Sequence, residues 1–82
     1  MPRQGLIAYI DPQQQESKQV LELLRAERCH FITRDVTESG MAEMELSVIF
    51  GKVTTPVVVW EGHTVHGFDQ TALRNLFDRQ SS

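Results

Sequence analysis

Thr54-Thr55-Pro56-Val57-Val58-Val59-Trp60-Glu61-Gly62-His63-Thr64-Val65-His66-Gly67-Phe68-Asp69 holds the firmest structural signal in this 82-residue chain. Val57 to Trp60 is a run of β-branched residues closed by an aromatic, the composition that suits a pleated strand. Thr55-Pro56 stands just before it, where a proline can enter a strand without removing a ladder hydrogen bond. Glu61-Gly62 reads as a hairpin turn into a second, short strand from His63 to Val65. Gly67-Phe68 follows. Asp69 is then placed to cap a final helix that carries Leu73, Leu76 and Phe77 on one face.

Towards the N-terminus, Leu6-Ile7-Ala8-Tyr9-Ile10 is continuously apolar, as expected of a strand covered on both faces. Asp11-Pro12 ends it, because proline cannot donate to the ladder and restricts the residue before it. From Gln14 to about Arg28 an amphipathic helix is expected. Val20, Leu21, Leu24 and Cys29 lie near one stripe widened by Leu23, with Lys18, Glu22, Arg25 and Arg28 opposite. Phe31-Ile32 opens a second strand that runs to Asp35-Val36-Thr37. Ser39 is a good N-cap for a second helix, and Gly51 stands where a C-cap glycine belongs. Met41 and Met44 on that helix are expected to serve as ordinary packing residues, and Tyr9 and Trp60 as core or strand residues.

The order is therefore β-α-β-α-β-β-α in one domain over residues 1–82. The β-α-β unit implies a right-handed crossover and parallel neighbours, and the last two strands form a hairpin. A four-stranded mixed sheet flanked by three helices, an α/β architecture, satisfies both constraints.

Composition excludes several function classes. With 40% apolar and 23% charged residues the chain should fold rather than stay disordered. A net charge of −3 without a Lys/Arg cluster argues against a nucleic-acid surface. Leu6–Ile10 is too brief for a signal-peptide core or a membrane span, so a cytoplasmic protein with no membrane contact is expected. Cys29 is the single cysteine, so no internal disulfide can form and a cysteine-ligated zinc site is excluded. His63 and His66, three apart on a strand, face opposite sides and chelate poorly, so no metal is expected.

Three segments together carry a family resemblance over Leu6 to Phe77. Tyr9-Ile10-Asp11-Pro12-Gln13-Gln14-Gln15-Glu16-Ser17-Lys18 resembles the active-site segment of the glutaredoxins, where a tyrosine, a proline and then C-P-Y-C occupy this frame. Thr54-Thr55-Pro56-Val57-Val58 resembles their T-V-P-x-[VI] turn, whose proline follows a cis bond. Gly62-His63-Thr64-Val65-His66-Gly67-Phe68-Asp69 is similar to their G-x-x-[VI]-G-G-[FSC]-D segment, and Asp35-Val36 also fits. The resemblance implies a thioredoxin-like, glutaredoxin fold. It further implies a ligand groove formed by Gln13, Gln14, Ser17, Thr55, Pro56, Gly67, Phe68 and Asp69.

The departures bear on the chemistry. In the family frame Gln14 and Ser17 stand at the two cysteine positions, and thiol–disulfide exchange requires a thiolate that neither can supply. Asp11 stands where the family often has a lysine that helps hold glutathione, and His66 replaces the first glycine of the Gly-Gly pair. The expectation is a redox-inactive binding module for an extended peptide or protein partner, with no cofactor and no catalytic residue. Glutathione is the small-molecule candidate. The alternative is a thiol–disulfide oxidoreductase role in cell redox homeostasis through Cys29 or a partner's cysteine. Cys29 is otherwise a small packing residue, set at a helix C-terminus that raises thiol pKa. The open N–H groups at the Gln13-Gln14-Gln15 helix start are a candidate anion site.

Overall fold

The computed structural model describes residues 5–81; Met1–Gln4 and Ser82, and with them the ends of the expected 1–82 domain, lie outside the described residues. The elements are β1 (Leu6–Ile10), α1 (Gln15–Ala26), β2 (Phe31–Asp35), α2 (Gly40–Phe50), β3 (Val57–Trp60), β4 (His63–His66) and α3 (Gln70–Ser81). Their order is β-α-β-α-β-β-α, as the residue pattern predicts. Helix α1 is shorter than expected at its C-terminal end, where Arg28 takes a left-handed backbone with φ +54°. Strand β2 stops at Asp35 because the Asp35 carboxylate accepts the Thr37 N–H at 2.8 Å and turns the chain. Strand β4 reaches one residue further than expected, since His66 pairs with Val57.

The sheet order is β2-β1-β3-β4. Strand β1 runs parallel to β2, with Ile7 opposite Ile32 and Tyr9 opposite Arg34. It runs antiparallel to β3, and β3 pairs antiparallel with β4. The Glu61-Gly62 turn has positive φ at both positions, +43° and +82°, the twist that suits a two-residue hairpin. Glycine takes this at no cost, whereas Glu61 takes it against its side chain.

Strand alternation sends Leu6, Ala8 and Ile10 to one face and Ile7 and Tyr9 to the other. On the first face Val20 and Leu24 of α1 meet Leu73, Leu76 and Phe77 of α3, over Val58, Trp60 and Val65. On the second, Ala42 and Leu46 of α2 cover Tyr9 and Val57, with Phe50 packed alongside. Tyr9 and Trp60 are buried, as expected. Met41 and Met44 are not. They stand 71% and 65% exposed, which corrects the expectation that they pack inside. Helix α2 carries apolar residues around all but the sector of Glu43 and Ser47, and the sheet covers only the stripe through Ala42, Leu46 and Phe50. Met41, Met44 and Val48 lie on the other side of the cylinder.

Glu45 ties α2 down at its flank. Its carboxylate accepts the Tyr9 hydroxyl at 2.7 Å and pairs with Arg34 of β2. Burial, followed by the hydrogen bond and the charge of Glu45, pushes the Tyr9 phenol up to about 12. Among the described residues no helix is long and apolar enough to cross a membrane.

Candidate functional site

Asp11-Pro12 breaks β1, and the turn that follows feeds α1. Asp11 organises that turn. Its carboxylate accepts the Gln13 N–H at 2.9 Å, and its carbonyl accepts the Gln14 N–H at 2.9 Å. Two N–H groups expected to be open to an anion are therefore already taken, which corrects that expectation.

Ser17, in the first turn of α1, is fully buried. Its Oγ accepts the Asp11 N–H at 3.1 Å and donates to Gln14 Oε1 at 3.0 Å. Thr55 Oγ1 donates to the same Gln14 Oε1 at 2.7 Å, across 41 positions of sequence. One amide oxygen thus takes two hydroxyl protons and fastens the start of α1 to the turn before β3. Gln14 is the N-cap residue of α1, yet its side chain makes no capping bond, because it is committed here. The proton of Ser17 rests on an amide oxygen, which is no general base, so the hydroxyl is not activated as a nucleophile.

Beside the start of α1 stand the turn before β3, which contributes Thr55 to the cleft, and the segment after β4. The Thr55–Pro56 bond is cis, and Pro56 is buried. Gly67 donates its N–H to the Pro56 carbonyl at 2.8 Å. Gly67 has φ +71°, and a Cβ there would stand 3.4 Å from Glu16 Oε2, an ordinary contact with the end of a side chain from the first turn of α1. Asp69 Oδ1 caps α3 by accepting the Ala72 N–H at 3.1 Å. Phe68 packs against the core of the α1/α3 face.

The structure therefore gathers Gln14, Ser17 and Thr55 into one hydrogen-bonded group and sets Pro56 and Gly67 beside it. Gln13 is exposed on the entry turn. The Phe68 side chain is used by the core, and one carboxylate oxygen of Asp69 by a helix cap. An open cleft of about 290 Å³ is lined by Gln14, Gln15, Glu16 and Thr55. Gln15 and Glu16 fall within the Gln13–Ser17 stretch that the resemblance assigns to the groove, and both lie exposed in the first turn of α1. The lining holds no Lys or Arg, and Glu16 gives it an acidic edge, with Asp11 in the turn below.

No family model matches the sequence, and no curated protein matches it. The likeness is to solved structures. The thioredoxin-like protein BC3987 is 27% identical with a TM-score of 0.79, over 87% of this chain and 97% of that one. A glutaredoxin from Archaeoglobus fulgidus is 22% identical with a TM-score of 0.80, over 88% and 84%. A buckwheat glutaredoxin in complex with glutathione is 18% identical with a TM-score of 0.69, over 94% and 73%. This is a glutaredoxin-like thioredoxin fold.

Within the glutaredoxin-like fold the cleft lies where β1 ends and α1 begins. Cys29 lies beyond the other end of α1, and a helix of this length spans about 18 Å. It is half-buried against the α1/α3 core; that burial and the neighbouring Glu27 push its thiol up from the usual range. His63 stacks on Trp60 at 6.3 Å, and His66 meets Phe50 edge-on at 5.0 Å. Trp60 belongs to one face of the sheet and Phe50 to the other, so the two imidazoles point apart. Among the described residues no three His, Cys, Asp or Glu side chains converge as metal ligands.

Proposed function

We propose that this chain binds an extended segment of a partner protein in the cleft between α1, Thr55-Pro56 and Gly67, without carrying out thiol–disulfide exchange itself. The observation that carries this reading is the Gln14 amide oxygen. It holds the Ser17 and Thr55 hydroxyl protons at the helix start, where exchange would need a thiolate. The network is neutral, so the cleft presents fixed shape and hydrogen-bonding groups rather than a reactive atom.

A second ligand has support from the buckwheat glutaredoxin–glutathione complex and from the cleft volume, which suits a tripeptide. The acidic edge at Glu16 and Asp11 opposes it, because glutathione carries two carboxylates and the lining has no cation to meet them. A neutral or basic peptide segment fits that edge better.

The assay is reduction of a glutathione mixed disulfide with the whole chain. Turnover no faster than buffer is expected, with wild type and Cys29→Ser alike. Turnover that vanishes in Cys29→Ser would instead establish an oxidoreductase working through Cys29.

A further inference from the structure

Helix α2 is held to the sheet by Ala42, Leu46 and Phe50, and its other side has no cover among the described residues. Met41, Met44, Val48 and Ile49 recur at helical spacing along that side, 71%, 65%, 79% and 58% exposed. They line a shallow cavity of about 260 Å³ together with Glu45. The apolar surface does not end at the helix. Strand β2 is an edge of the sheet, and Ile32 on it is 58% exposed. Ile32 precedes Arg34 by one strand repeat on the same face, and Ile49 follows Glu45 by one helical turn. Because Arg34 and Glu45 are paired, Ile32 and Ile49 fall at the same level on the same side.

From these observations we infer that the outer face of α2, extended by Ile32, is where two copies of this chain associate about a twofold axis. Three features select a second copy. The first is area. Five side chains this exposed leave on the order of 500 Å² of apolar surface, the upper range for a monomer's largest patch. With a polar rim of normal proportion this becomes about 800 Å² per copy, or ~1,600 Å² for the pair, the standard size of a specific interface. The second is self-complementarity. Two α2 helices laid antiparallel about the level of Glu45 bring Met41 opposite the partner's Ile49, with Met44 and Val48 flanking the axis, apolar against apolar and with opposed dipoles. The third is charge. The stripe carries one ionisable group, Glu45, which already bonds Arg34 and Tyr9, so the twofold places no unpaired like charges face to face.

The test is sedimentation equilibrium of the whole chain and of two exposed-face variants, Val48→Asp and Met44→Asp. At about 100 µM, above the micromolar limit for interfaces of this size, wild type should approach twice its 9.4 kDa mass and fall towards that mass on dilution. Each variant should weaken association at least tenfold while keeping the wild-type far-UV circular dichroism spectrum. His63→Asp on β4, at the opposite edge of the sheet, should leave association unchanged. A wild-type mass of 9.4 kDa throughout the range would overturn the inference, as would a dimer that both α2 variants leave intact. Ligand binding at the α1 cleft is measured separately and is untouched by either result.

Discussion

Helices α1 and α2 sit on opposite faces of one sheet and use their residues differently. In α1 the apolar positions fall on a single stripe, and Val20 and Leu24 disappear into the core with Leu21 and Leu23 at the margins. In α2 apolar side chains occupy all but the sector of Glu43 and Ser47, and four of them stay in water. The starts differ in the opposite sense. Helix α2 begins on an ordinary cap, Ser39 Oγ accepting the Ala42 N–H at 3.1 Å. Helix α1 begins on Gln14, whose side chain gives up capping to join Ser17 and Thr55. Each helix therefore departs from the pattern that folding alone would favour at one place, α1 at its N-terminus and α2 along its outer face. Those two places are the proposed cleft and the proposed self-association surface.

Core truncation separates the two faces of α2 most sharply. Leu46→Ala and, on α1, Leu24→Ala should each cost about 3 kcal/mol by urea denaturation, the loss typical of a buried leucine. Val48→Ala, at low protein concentration, should stay within ~0.5 kcal/mol. Equal costs at positions 46 and 48 would mean that the outer face is packed inside the monomer.

The attachment of α2 carries a pH signature. The Tyr9 phenol titrates near 12 when folded and near 10 when unfolded, so the folded state holds its proton more tightly. Its contribution is fully present below pH 10 and is lost as pH rises towards 12. A Tyr9→Phe variant, which cannot titrate there, should escape this loss. Parallel stability curves for the two proteins over this range would show that neither burial nor Glu45 holds the Tyr9 proton in the folded state.

At the start of α1, Ser17→Ala removes the acceptor of the Asp11 N–H and one of the two protons on Gln14. A cost of about 1.5 kcal/mol is expected, since a buried donor is left without its partner. Amide exchange should quicken at Asp11 and the first turn of α1 while β3 stays protected. Unchanged exchange at Asp11 would show that Ser17 is a packing residue only.

The element order was legible because its signals are local: β-branched Val57–Val59, the Glu61-Gly62 turn, Ser39 and Asp69 as caps, and Gly51 closing α2. The fate of Met41 and Met44 was not. Apolar spacing tells that a side chain is apolar, and which side of α2 the sheet covers depends on β1 and β3, distant in sequence. The cleft was legible in part. Gln14, Ser17, Thr55 and Gly67 could be placed near one another through the resemblance, but the bond from Thr55 to Gln14 spans 41 positions that no local pattern reports. The use of the Gln13 and Gln14 N–H groups by Asp11 was also hidden, because it depends on how the Asp11 side chain turns.

The proposed cleft binds an extended chain and holds no reactive thiol. Its most direct test is amide chemical-shift mapping of the labelled chain against two probes, S-methylglutathione and a capped lysine-containing tripeptide, neither of which can exchange a disulfide. Shifts are expected at Gln14, Glu16, Thr55 and Gly67 with both, at lower concentration for the capped tripeptide, and none at Cys29. Shifts at Cys29 alone, or no shift at the α1 start with either probe, would rule out a binding cleft there.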